Sequence, residues 1–126
     1  MAQGEVRNYA VHARSTDTFG RVLCNVRNHH FVVDGPVQNG APGEAVTPAE
    51  LFLTGIAACG VELLQSFARA EQIPLRGLHV DIAGTLDRGK PVRQDVSVLN
   101  SVHLRFELKG VTADQGTLLI DKFKGR

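Results

Sequence analysis

The segment Thr47-Pro48-Ala49-Glu50-Leu51-Phe52-Leu53-Thr54-Gly55-Ile56-Ala57-Ala58-Cys59, continuing to Ala68, decides how this chain folds. Thr47-x-x-Glu50 is a capping box, and Pro48 stands at the first helical position, where a missing N–H costs nothing. From Leu51 to Val61 the sequence carries no charge. The helix should stop near Gln72-Ile73-Pro74, because a proline disfavours helical geometry in the residue before it. The Leu51–Val61 run is short for a bilayer span and reads as a buried helix. Gly55, Ala57, Ala58 and Gly60 give it a thin surface. Two glycines cost roughly 1 kcal/mol each in an exposed helix interior. Close helix–helix packing would offset that cost, which predicts a homodimer.

Upstream, residues 5–14 read as a strand and Ser15-Thr16-Asp17-Thr18 as a turn. From Arg21 to Arg27 the alternation is clean, with Val22, Cys24 and Val26 on one face. Phe31-Val32-Val33 makes a third strand, so the N-terminal part is an antiparallel meander. Asp34 to Val46 carries Asp-Gly-Pro, Asn-Gly and Pro-Gly turn signals. Long loops of this kind in small domains are often functional. Downstream, Gly77 to Asp87 reads as a strand and Arg88-Gly89-Lys90-Pro91 as a turn. Asp95 to Lys109 reads as a long strand or two, with Val102, Leu104, Phe106 and Leu108 alternating against polar residues. Thr112-x-x-Gln115 opens a second helix. Strands segregated into two groups, with two helices, argue for an α+β fold.

The 126 residues suit one domain, 1–126, with a core of useful size. A net charge near +1, without a basic block, gives no electrostatic footprint for nucleic acid or an anionic membrane. The N-terminus shows no charged region followed by an apolar one, so no secretory signal is read there. Two cysteines without such a signal fit a reducing, cytoplasmic setting.

Cys59 is the residue with most chemical interest. It reads either as a small hydrophobe packed in the helix or as a reactive thiol shielded from bulk water. It lies about three turns into the helix, beyond the reach of the macrodipole, so a reactive thiolate needs a cation from elsewhere. Arg14, Arg21 and Arg27 are the candidates. Glu50 reads as half of the capping box, or as a group orienting such an arginine. Nine residues separate it from Cys59, which puts the two on roughly opposite helix faces. Cys24 reads as core, and its pairing with Cys59 is left open. His29 and His30 are adjacent and point to opposite faces of a strand. His12, His79 and His103 show no metal-ligand spacing, so no metal is expected.

The loop Asp34-Gly35-Pro36 … Asn39-Gly40-Ala41-Pro42-Gly43, followed by Thr47-Pro48-Ala49-Glu50-Leu51-Phe52-Leu53 and Gly55-Ile56-Ala57-Ala58-Cys59, resembles the OsmC/Ohr family of osmotically induced and organic-hydroperoxide-resistance proteins. The resemblance implies an intertwined α+β homodimer with central helices and active sites at the dimer interface. It implies a thiol peroxidase for organic hydroperoxides, regenerated by a dithiol and needing no metal or organic cofactor. Cys59 matches the family's peroxidatic cysteine, Arg21 is the best match to its arginine, and Glu50 becomes an orienting group. Three departures stand out. Ala49 occupies the place where the well-defined hydroperoxide reductases have a glutamate directly after the proline, as in the broader OsmC-like branch. The family's arginine comes from an N-terminal strand or turn, and the local spacing around Arg21 does not fix the match. The family's resolving Cys-Pro segment falls at about Lys124-Gly125-Arg126, which implies either a chain clipped at its C-terminus, the reading preferred here, or the absence of a resolving thiol. A non-catalytic dimeric binding or sensing module, with Cys59 buried and unreactive, is the alternative.

Overall fold

In the computed structural model, which describes residues 4–95 and 98–125, the N-terminal meander consists of β1 (His12–Ser15), β2 (Arg21–Val26) and β3 (His29–Asp34), ordered β1-β2-β3 and antiparallel throughout. The β2–β3 hairpin turns on Arg27 and Asn28, with Arg27 at φ 52°. That two-residue turn fixes the register, from Val26 opposite His29 to Arg21 opposite Asp34. The strand expected over residues 5–14 is reduced to His12–Ser15. β1 pairs with β2 from His12 opposite Asn25, one residue short of the end of β2 at Val26. β3 is longer than expected and reaches Asp34.

The loop after β3 is ordered by backbone bonds. Gly35 N–H donates to Gly20 O at 2.8 Å, Gly43 N–H to Gly35 O at 3.1 Å and Asp34 N–H to Val46 O at 3.1 Å. The buried methyl of Ala41 sits against Gly20 and Gly35. Gly20 has φ 81°, and a Cβ there would collide with Ala41, so both conformation and space demand glycine. Val37–Asn39 forms a single 3-10 turn inside this loop.

Helix α1 (Pro48–Ala70) starts as the capping box predicts. Glu50 accepts from Thr47 N–H at 2.9 Å and from Thr47 Oγ1 at 2.9 Å, while Thr47 Oγ1 accepts from Glu50 N–H at 3.4 Å. It closes slightly earlier than the proline alone suggests. Gln72 adopts φ 56°, Gln72 N–H donates to Arg69 O at 3.2 Å, and Ile73 N–H to Ala68 O at 2.8 Å. This is a Schellman closure with glutamine in the left-handed position, and Ile73 packs back on the helix.

The chain divides into two units, Met1–Leu51 and Phe52–Arg126, with α1 passing from the first into the second. In the second unit β4 (Gly77–Thr85) pairs antiparallel with β5 (Ser101–Lys109), and α2 (Ala113–Lys124) follows. The strand expected from Asp95 begins only at Ser101. Asn100 explains this: its side chain accepts from Asp87 N–H at 2.8 Å and donates to Lys90 O at 2.6 Å, tying the preceding segment to the turn instead of the ladder. Val96-Ser97, part of that expected strand, lie outside the described residues. The Thr112/Gln115 capping box is formed at both bonds.

Leu64, Ala68 and Leu119 form the buried centre of this unit, surrounded by Phe67, Ile73, Leu75, Leu78, Phe106, Leu108, Ile120 and Phe123. Leu64 and Leu119 are fully buried, and burial of a leucine side chain contributes about 1.5–3 kcal/mol. Gly60 lets α1 lie against the Phe106 and Phe123 rings, which meet edge to face at 5.6 Å. The expectation of a buried helix is met on one stripe only, Gly60, Leu64 and Ala68, spaced four residues apart. The opposite strip keeps Leu51, Phe52, Gly55, Ala58 and Cys59 exposed. By length and composition α1 suffices to cross a membrane, which the shorter Leu51–Val61 run does not suggest.

Candidate functional site

Cys59 is carried on the exposed strip of α1, and both it and Cys24 are free thiols. Gly55 lies one turn before it and Glu62 one turn after. Glu62 is itself exposed and accepts from Ser66 Oγ at 3.1 Å. The thiol lies about three turns into α1, beyond the reach of the helix dipole.

Arg21, the first residue of β2, is built into a carboxylate clasp in the first unit. Its Nε donates to Asp34 Oδ1 at 2.9 Å and its Nη2 to Asp34 Oδ2 at 2.8 Å, a bidentate fork across the β2–β3 register. Nη2 also donates to Glu44 Oε1 at 2.9 Å. The Asp34 side chain is fully buried, and its Oδ2 additionally accepts from Glu44 N–H at 3.0 Å and Ala45 N–H at 2.9 Å. Four donors thus converge on one carboxylate, which is what a buried charge requires.

The charges respond accordingly. The Arg21 hydrogen bonds hold the Asp34 carboxyl far below the usual carboxylate range; burial opposes them and the Ala45 and Glu44 amides assist. The bonds to Asp34, and then to Glu44, push Arg21 still higher than its usual value. Arg21 is a permanent cation facing two carboxylates.

Glu50 is placed at the first turn of α1, where Thr47 N–H and Oγ1 lower its carboxyl pKa. Glu50 forms the capping box through these bonds, and Asp34 and Glu44 are carboxylates bonded to Arg21. Arg27 is in the hairpin turn at the opposite end of β2 from Arg21, and Arg14 lies on β1 opposite Leu23. Cys24 is half-buried on β2 between Ala13 and Phe31. Among the described residues no group of three or more His, Cys, Asp or Glu side chains is arranged to hold a metal ion.

The sequence reading missed Asp34 and Glu44. The signal for Asp34 was present: counting back from an Arg27-Asn28 turn in an antiparallel hairpin brings Arg21 opposite Asp34. Asp34 is also the first residue of an Asp-Gly-Pro turn pattern, which reads as loop.

The family model for OsmC-like protein matches residues 41–123, well over half of the chain. The chain belongs to the OsmC-like family. No curated protein matches this sequence. Solved structures of the family share its fold. An OsmC-like protein from Mycoplasma pneumoniae superposes with a TM-score of 0.80 at 19% identity, covering 95% of this chain and 82% of that one. An organic hydroperoxide resistance protein from Elizabethkingia anophelis gives 0.79 at 19% identity, covering 98% and 85%. An organic hydroperoxide resistance protein OsmC from Legionella pneumophila gives 0.76 at 19% identity, covering 96% and 85%. At these identities the likeness carries the OsmC fold, with its antiparallel sheets and two helices, and the matched segment includes the helix that bears Cys59.

Proposed function

We propose that this OsmC-like protein is a thiol-dependent peroxidase that reduces organic hydroperoxides through Cys59. The observation that carries the reading is an exposed thiol on an apolar helix strip, within the segment matched by the family model. The Cys59 thiolate attacks the distal oxygen of the O–O bond. The bond breaks, the alkoxide leaves and takes a proton as the alcohol, and Cys59 becomes a sulfenic acid. A dithiol then restores the thiol: one sulfur condenses with the sulfenic acid and releases water, and the second displaces Cys59 to form the reductant's disulfide. The thiolate supplies both electrons, so the reaction needs no metal or organic cofactor.

Arg21 is the cation assigned to the thiolate and the developing oxygen charge. Glu50 is kept as an orienting group, and Asp34 joins it because its fork fixes the guanidinium plane. Glu50 also fixes the start of α1. The exposed strip of α1 is assigned to a second copy of the chain, in a homodimer whose partner shields Cys59 from bulk water. The apolar neighbours Leu51, Phe52 and Ile56 favour alkyl over hydrogen peroxide. A cytoplasmic setting accords with two free thiols.

The test is consumption of cumene hydroperoxide with dithiothreitol. Wild type is expected to turn over and Cys59→Ser to lose turnover. Equal rates in the two proteins refute the mechanism. A binding or sensing module on the same fold is the second reading, favoured by the occupation of Arg21 and Glu50 in other bonds. Slow alkylation of Cys59 in the folded protein, with no peroxide consumption, would select it.

A further inference from the structure

We infer that the face of the β1–β2–β3 meander bearing His12, Arg14, Leu23, Asn25, His30 and Val32 binds a small apolar carboxylate. The site lies wholly within the first unit and does not depend on the chemistry of Cys59.

The strand register brings these six side chains together. His12 pairs with Asn25 and Asn25 with His30, while Arg14 pairs with Leu23 and Leu23 with Val32. Paired residues share a face, and so do residues two apart along one strand. The face is therefore two rows. One is polar throughout, and the other begins with a guanidinium and continues as two aliphatic side chains. All six residues border one open cleft of about 470 Å³, a volume in the range of small-molecule sites. Ala13, Cys24 and Phe31, which also border it, lie between them along the three strands.

Charge decides the head of the ligand. Among the described residues bordering the cleft there is no aspartate or glutamate, and Arg14 is a permanent cation. Among the described residues Arg14 takes part in no ion pair. Its planar fork matches a carboxylate, and the imidazoles and the Asn25 amide add donors in the adjacent row. One permanent cation suits one negative charge, whereas a nucleic acid is held by many phosphate contacts. Apolar surface decides the body. Leu23 and Val32 are 36% and 40% exposed, and a ligand that covers them removes apolar surface from water. Three strands span about 10 Å, twice the interstrand spacing, which a fused two-ring body crosses. The cleft is concave, so it receives a single molecule and not the surface of a bilayer.

The probe is 2-naphthoate, added to the full chain near neutral pH. The chain has no tryptophan, so naphthyl fluorescence reads binding directly, and amide proton–nitrogen spectra locate it. Wild type is expected to bind saturably, with shifts at the amides of residues 12–14, 23–25 and 30–32. Acetate lacks the apolar body and protonated 2-naphthylmethylamine reverses the charge, and neither is expected to shift those amides. Arg14→Gln should weaken binding about fivefold, and Val32→Thr about twofold. Both positions are exposed, and unchanged spectra of the second unit would show that the variants fold. The inference is overturned if 2-naphthoate leaves those amides unmoved, if the cationic analogue binds as tightly, or if Arg14→Gln binds like wild type. Cosedimentation with phosphatidylglycerol vesicles, without binding of free 2-naphthoate, would assign the face to a membrane and overturn it as well.

Discussion

Gly55→Ala distinguishes a helix surface open to water from one pressed against a second chain. Gly55 lies inside α1 on the strip that carries Cys59, and among the described residues a Cβ built there meets no heavy atom within 4 Å beyond its own helix backbone. Within one chain the substitution adds only helix propensity, about 1 kcal/mol in its favour. That gain applies equally to monomer and dimer, so it cancels from the dissociation constant. What remains in the constant is the fit of one added methyl between two copies. Overpacking of a close interface costs typically 1–3 kcal/mol, which weakens the dimer about 5- to 150-fold. Sedimentation equilibrium over a concentration series measures this, with Gly60→Ala as the control. At Gly60 the new Cβ would lie 3.5 Å from Phe106 and 3.6 Å from Phe123, an ordinary contact inside the chain. Gly60→Ala should therefore stabilise the protein by up to about 1 kcal/mol and leave the dissociation constant unchanged. If Gly55→Ala also leaves the constant unchanged and simply raises the melting temperature, no second chain packs closely on that strip, and the assembly proposed here is wrong.

Other outcomes follow from the same geometry. Leu64→Ala removes a fully buried side chain from the centre of the second unit and should lower stability by about 2–5 kcal/mol, read as a shift in urea midpoint; a loss below about 1 kcal/mol would mean that this centre is not the core. Asp34 has a folded pKa below its unfolded value near 4. Its stabilisation is therefore fully present above about pH 4 and is lost as the pH falls further toward the folded value. Asp34→Asn should flatten the pH dependence of the urea midpoint in that acid window. Parallel curves for the two proteins would show that the fork does not set acid stability.

The local features were legible in the sequence and the long-range ones were not. Both capping boxes mark helix starts, because Thr47 with Glu50 and Thr112 with Gln115 act within four residues. Alternation at Leu104, Phe106 and Leu108 predicted the half-buried face of β5 for the same reason. The Arg21–Asp34 fork needs a register across thirteen residues, and no local pattern states that register until the turn is located. The exposure of α1 was hidden for another reason. Apolarity records that a surface avoids water, and does not record whether the covering group belongs to the same chain. Cys59 was legible as the residue of chemical interest, whereas the clasp of Asp34 and Glu44 on Arg21 appears only once β2 and β3 are paired.

The contact of Gly60 with the two phenylalanine rings also determines how folding of this protein can be watched. The chain has no tryptophan, and its one tyrosine, Tyr9, is 83% exposed ahead of β1. Intrinsic fluorescence is therefore blind to closure of the second unit's core. The α-protons of Gly60 lie beside the Phe106 and Phe123 rings, and ring currents should displace their magnetic resonance away from those of ordinary helical glycines. Gly55, on the same helix, where no ring of the described residues lies within 4 Å of an added Cβ, supplies an internal reference. One helix thus carries a reporter of its own core and a reporter of its open side, separable in a single spectrum.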